Sequence, residues 1–266
     1  MKRYVVLDKK VGETPLRALT DWQNAHPNYA GMPASYAGRL DPMASGKLLI
    51  LLGEECKKQK KYIGLDKEYV IEVLLDVGSD TGDALGLIDY SNRDTRSNDS
   101  FLTTVLHAER GTHKRSYPAF SSKTVNGKPL FLHTLEGSIK DIAIPEHDEH
   151  IYRCSLLRAE RIDASALKAR IHAFLEKVPK TDEPSKMLGA DFRIAAVRES
   201  WENALEKAGE RSFSIVTLRV VCGSGAYMRS LAGRIGAALG TKALALSIQR
   251  TKIGKYWMGF WLSSYS

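Results

Sequence analysis

Three runs rich in apolar and β-branched residues, 47–52, 68–77 and 213–222, constrain this chain most. Each has the make-up of a strand, and 47–52 stays apolar from Leu48 until Gly53 closes it. A shorter strand is predicted at 4–7. Helical signals are fewer. Thr14-Pro15 is a good helix start, because the hydroxyl can cap and proline suits the first turn. The spacing that follows predicts Leu16, Leu19 and Trp22 on one face. Residues 54–61 read as a charged helical stretch. Residues 165–176 carry Leu167, Ile171, Phe174 and Leu175 at helical spacing, and 177–184 break the pattern. A last helix is predicted at 228–239, with Leu231, Ile235, Ala238 and Leu239 inward and Gly240 at the C′ position. Strands outnumber the helices that could cross between them. The chain is therefore expected to be α+β with a mixed sheet rather than doubly wound.

The segments between these elements read as loops. Residues 36–46 are polar and contain glycine, 78–86 have turn chemistry, and 91–100 are polar and expected to be exposed. There is no internal repeat.

Charge narrows the partners. Lysine and arginine exceed aspartate and glutamate by 39 to 31, a net charge of +8, which points toward polyanions and nucleic acid first. The excess is local. Residues 225–256 hold six cations and no acid, and 107–128 hold five cations against Glu109 alone. Residues 141–150 are acidic and read as a solvated loop. No apolar run is long enough to cross a membrane, and the first apolar stretch, ending at Leu7, is too short for a signal-peptide core. Cys56, Cys154 and Cys222 lie far apart with no CxxC, consistent with a reducing compartment. A cytoplasmic location is expected.

Several familiar motifs fail. The strand, Gly223-Ser-Gly225 turn and helix suggest dinucleotide binding, but the third glycine position is Met228. There is no GxxxxGK[ST] and no GxSxG. His147-Asp-Glu-His150 has the wrong spacing for a metalloprotease helix.

The segment AGRLDPMASG, residues 37–46, is more informative. On its residues alone, Asp41-Pro42 is ordinary turn material. Extended to AGRLDPMASGKLLILLGEECKK, it resembles the signature of the TruB family of tRNA pseudouridine synthases. Four further blocks resemble that family in the same order: LDKKVGETP near the start, KEYVIEVLLDVGSDTGDALG, PAFSSKTVNGKPLF, and VVCGSGAYMRSLAGRIGAALGTKALALSIQRTKIGKY.

The resemblance implies the α+β pseudouridine-synthase core, with a central mixed, mainly antiparallel sheet and flanking helices. It also implies a reaction. Uracil is detached from C1′, turned, and rejoined through C5, so neither cofactor nor metal is expected. Asp41 matches the catalytic aspartate, acting as nucleophile or base. Arg229 matches the arginine that pairs with it. A guanidinium suits a shielded carboxylate because it is always charged and can grip both oxygens. Tyr69 matches the tyrosine that stacks on the base and helps to remove the C5 proton. Tyr227 matches a second pocket tyrosine, and Ile248 a leucine that closes the pocket. Gly38 belongs to the same substrate-binding loop. The implied target is uridine 55 in the T-loop of tRNA, flipped out of its stack. Arg39, Lys123, Lys128, Arg250 and Lys252 are candidate phosphate contacts.

The departures are specific. Tyr36 stands where the family has a histidine that contacts RNA, and Lys10 replaces a proline. Lys123 and Thr124 are exchanged relative to the family order. Residues 90–112 and about 162–210 have no counterpart; the first reads as a variable loop, the second as a helical insertion. The chain stops ten residues after Tyr256, too soon for the C-terminal RNA-binding module of the PUA kind. A single catalytic domain over 1–266, acting as a monomer without an obligatory protein partner, is expected. The alternatives are an RNA-binding or RNA-folding protein on the same scaffold, or a synthase acting on another RNA.

Overall fold

The computed structural model describes residues 2–96, 99–178 and 193–265. In chain order its strands are β1 (Tyr4–Lys9), β2 (Ala34–Tyr36), β3 (Ser45–Leu52), β4 (Asp66–Leu75), β5 (Val77–Ser79), β6 (Ile88–Tyr90), β7 (Gly111–Ser116), β8 (Thr124–Val125), β9 (Lys128–Pro129), β10 (Glu146–Asp163), β11 (Ser212–Cys222), β12 (Ala243–Trp257) and β13 (Phe260–Tyr265). The helices are α1 (Pro15–Asn24), α2 (Gln59–Ile63), α3 (Asp99–Ala108), α4 (Leu130–Leu135), α5 (Ala164–Leu175), α6 (Ile194–Ala208) and α7 (Met228–Ala238).

Nine strands form one sheet in the order β1-β3-β12-β4-β11-β10-β7, with β13 added to β12 and β2 to β3. Its pairings are antiparallel except β3 with β12, which touch in parallel at Ser45–Gln249 and Gly46–Arg250. The sheet is mixed and mainly antiparallel, with helices against it. The crossing at Gly46 explains that glycine. Its φ is +99°, and a Cβ there would lie 2.2 Å from the Arg250 carbonyl oxygen.

The main core lies under β4, β11, β10 and β12. Ile71, Val73, Leu74, Val216, Leu218 and Leu244 are fully buried there, which is why the 213–222 run and most of the 68–77 run are strands. The latter stops at Leu75, because Asp76 turns the chain with φ +68° and Val77 opens β5 in a separate sheet. Helix α7 closes it with Leu231 and Ile235. Helices α5 and α6 belong to the same core through Leu167, Ile171, Val197 and Trp201, and the Trp201 indole donates to the Ala84 carbonyl at 3.0 Å.

Several local expectations are corrected. In α1, capped by Thr14 onto the Arg17 amide, the buried face is Ala18 and Leu19, while Leu16 is exposed. In α7, Ala238 is exposed at the last residue of the helix, ahead of Gly240, which has φ +71°. The 90–112 stretch holds α3, anchored by Leu102 and Leu106. The acidic 141–150 segment runs into β10, which is paired on both sides, and Glu149 is buried there. The turn at 78–86 begins as β5, paired with β6. Of the predicted break at 177–184, residues 179–184 lie outside the described residues, as do 97 and 98 of the predicted 91–100 loop. No helix among the described residues is long and apolar enough to cross a membrane.

Candidate active site

Asp41 lies in the loop between β2 and β3, and three straps hold that loop. The Gly12 amide donates to the Pro42 carbonyl at 2.9 Å. The buried Lys9 ammonium reaches the carbonyls of Lys10, Glu13 and Pro42 at 2.9, 2.8 and 3.4 Å. Arg250 donates to the carbonyls of Arg39 and Lys47, at 3.1 and 2.7 Å, on the two sides of Asp41.

Arg229 sits in the first turn of α7. Its Nε donates to Asp41 Oδ2 at 2.7 Å, Nη1 to the Thr81 carbonyl at 2.7 Å and Nη2 to the Phe120 carbonyl at 3.0 Å. Its side chain is 6% exposed and that of Asp41 44%. The arginine is thus fixed by three separate segments, and the carboxylate stands at the mouth of a cleft. A second carboxylate, Asp83, has Oδ2 3.5 Å from the same Nε. Asp83 also accepts from the Thr81 hydroxyl at 2.7 Å and the Leu85 amide at 2.9 Å. Burial pushes the Asp83 carboxyl above the ordinary range against the pull of Arg229. Burial also opposes the charge on Arg229, but Asp41 and Asp83 outweigh it and hold its pKa above the usual value.

These groups open onto a cavity of about 580 Å³. Tyr69 projects into it from β4. Burial raises the pKa of its hydroxyl, and nearby Arg250 pulls the other way. Ile248 on β12 and Tyr227 at the start of α7 complete the wall. The Tyr227 amide donates to Glu149 Oε2 at 3.3 Å, and Glu149 Oε1 pairs with Arg234 at 2.6 Å, which ties the helix start to β10.

Of the residues singled out in the sequence, Asp41, Tyr69, Arg229, Tyr227, Ile248, Gly38, Arg39, Lys123 and Arg250 all line this cavity. Arg39 is exposed and donates to the Ser122 hydroxyl at 2.5 Å. Lys123 sits 5.0 Å over the Tyr117 ring. Tyr36, Lys128 and Lys252 do not line it. Tyr36 packs beside Leu48 and Ile50, Lys128 pairs with Glu136 at 2.6 Å, and Lys252 lies 3.6 Å from Glu68. Arg250 is 1% exposed, so it is not a surface cation for phosphate. Its position on β12 turns it inward, toward Tyr69 across the strand pair.

Sequence reasoning passed over Lys9, Lys67, Asp83 and Tyr117. Lys67 and Tyr69 both line the cavity from β4, and their spacing of two on a strand was a usable signal. Burial lowers the pKa of Lys9 and of Lys67 to about 8 each. Tyr117 stacks on His147 with ring centroids 4.1 Å apart. Among the described residues no group of three His, Cys, Asp or Glu side chains is placed to hold a metal ion.

Known proteins resemble this chain in the same terms. The family described as TruB family pseudouridylate synthase, N-terminal domain, matches residues 30–173, more than half of the chain. A protein named tRNA pseudouridine synthase B from Francisella philomiragia is 28% identical over 95% of this chain and 65% of its own length. One of the same name from Francisella tularensis subsp. novicida is 28% identical over 84% of this chain and 56% of its own. The chain thus spans between about half and two thirds of these relatives. A crystal structure of a Cbf5-Nop10-Gar1 complex has a chain of like fold, with TM-score 0.55 and 18% identity, covering 94% of this chain and 48% of that one.

Proposed function

The chain belongs to the TruB family of pseudouridylate synthases, and on that premise we propose that it isomerises uridine to pseudouridine in RNA, with uridine 55 in the T-loop of tRNA as the target. The observation that carries this reading is the 2.7 Å bond from Arg229 Nε to Asp41 Oδ2 at the mouth of a cavity lined by Tyr69.

The roles follow from the geometry. Arg229 grips one carboxylate oxygen, and the other has no hydrogen bond among the described residues. That oxygen is the one to act on the ribose–uracil unit, as nucleophile or base. The fixed cation offsets the carboxylate's negative charge when a bound base shuts out water. Tyr69 offers a planar face to a uracil that has left its stack, and Tyr227 and Ile248 close on its edges. Arg39 and Lys123, exposed at the cavity rim, contact backbone phosphate, which supplies affinity more than sequence choice. The protein acts as a monomer on tRNA, in the cytoplasm. We read the stretch from about 162 to 210 as a helical insertion, although the family match reaches residue 173. It holds α5 and α6, and Arg193 at the foot of α6 pairs with Asp80 at 2.7 Å, three residues from Asp83.

The test is tritium release from tRNA carrying uridine tritiated at C5. Wild type should release it and Asp41→Asn should not. Binding without release by wild type would favour an RNA-binding protein on this scaffold. Release from other RNAs but not tRNA would move the substrate elsewhere.

A further inference from the structure

Arg250 lies across the β4–β12 pairing from Tyr69 and lines the cavity with Asp41 and Ile248. Two of its nitrogens are satisfied by the Lys47 and Arg39 carbonyls. Its Nη2 is buried and makes no hydrogen bond of normal geometry among the described residues, while the guanidinium lies close enough to the Tyr69 hydroxyl to act on it. Leaving a buried donor unpaired is costly, and more so when it is charged. No carboxylate among the described residues forms an ion pair with this guanidinium. It opposes the charges of Lys9 and Lys67, and the carboxylate that shares its cavity, Asp41, has its Oδ2 already held by Arg229. A buried, unpaired, cationic donor in a cleft is suited to an acceptor that arrives with the substrate and becomes negative there.

We propose that Arg250 is a further catalytic residue, its Nη2 donating to a carbonyl oxygen of the uracil and holding the negative charge that gathers there when the base is detached. This rests on the pseudouridine-synthase reading above. When C1′–N1 breaks, the bonding pair stays with the base, and its charge is shared between N1 and the carbonyl oxygens. C5 then bonds to C1′, the C5 proton leaves, and N1 takes up a proton. Arg250 is unchanged throughout. Because its other nitrogens are anchored to backbone, the donor needs no reorganisation as the charge develops. A guanidinium keeps its proton, so it stabilises the anion and is not the acceptor of the C5 proton.

The test pairs enzyme variants with substrate atoms. Single-turnover rates are measured for wild type, Arg250→Lys and Arg250→Gln on T-loop RNA carrying uridine, 2-thiouridine or 4-thiouridine at the target. Sulfur is the weaker acceptor. The variants should be slower on uridine by about 10²–10³-fold, the usual cost of one such donor. Wild type should also slow on one thio substrate, and the variants should slow on it no further. A purely structural role for Arg250 would leave equal thio factors for wild type and variant, including no slowing of either, and that result overturns the proposal. If the glutamine variant does not fold, the lysine variant carries the comparison. No turnover of uridine by wild type would instead remove the underlying reading, and the proposal with it.

Discussion

Arg229 reaches Asp41 with Nε, at 2.7 Å, while its two terminal nitrogens are held by the carbonyls of Thr81 and Phe120. The residue that grips the carboxylate is thus itself gripped from the turn after β5 and from the segment before β8. A lysine offers a single point of donation and cannot span three acceptors so placed. Arg229→Lys should therefore lower the single-turnover rate by at least about 10²-fold with little loss of RNA affinity. Rate and binding measured side by side would decide this. A variant with near-normal rate would show that the charge alone suffices.

Lys9 is a pH-sensitive strap. Burial lowers its pKa from 10.5 to about 8. Below about 8 both folded and unfolded chains hold the proton, and the contribution is constant. Between about 8 and 10.5 the unfolded chain holds a proton that the folded chain has shed, so the unfolded state binds more protons and stability rises with pH. The slope is at most about 1.4 kcal/mol per pH unit. Urea unfolding of wild type and Lys9→Met from pH 7 to pH 10 should show their difference shifting in favour of wild type above pH 8. A difference that stays flat would contradict it.

Gly46 should not tolerate a side chain. Alanine there would meet the Arg250 carbonyl oxygen at 2.2 Å in a backbone conformation that L residues seldom adopt. Gly46→Ala should cost about 1–3 kcal/mol and lower activity more than that, because the same crossing carries Arg250 and adjoins the Asp41 loop. Equilibrium unfolding and rate on one preparation would check both parts.

Trp201 tests whether α5 and α6 are part of the folding unit. Its side chain is buried in the main core, and its indole bonds to Ala84. Trp201→Ala should cost about 3–5 kcal/mol in one cooperative transition. Trp201→Phe should cost less, leaving mainly the Ala84 carbonyl unpaired. A near-neutral alanine variant, or a separate early transition, would mean that these helices fold apart from the sheet.

Some elements were readable because local pattern and final burial agree. The 47–52 and 213–222 runs, and 68–77 as far as Leu75, are apolar on both faces or on alternate residues, and a sheet interior accommodates them. Strand β12 was not readable in this way. Register shifts after Ala245 and Arg250 switch which residues face the core, so no steady period of two survives. Strand β10 hides behind its charges, because its partners satisfy them: Glu149 with Arg234, and Arg161 with Asp94 at 2.8 Å.

Sequence alone determined which segments become the central strands, that Asp41 sits in a loop entering one of them, and which residue types were available for the chemistry. Those follow from local composition and from spacing along the chain. Only the tertiary structure decided which charges are buried and what they face. Asp41 and Arg229 are 188 residues apart, and Arg250 lies 203 from the Lys47 carbonyl it holds. An arginine on a strand is written the same way whether it meets solvent or a cavity. Its environment is set by the strands and loops packed around it, and those come from distant parts of the chain.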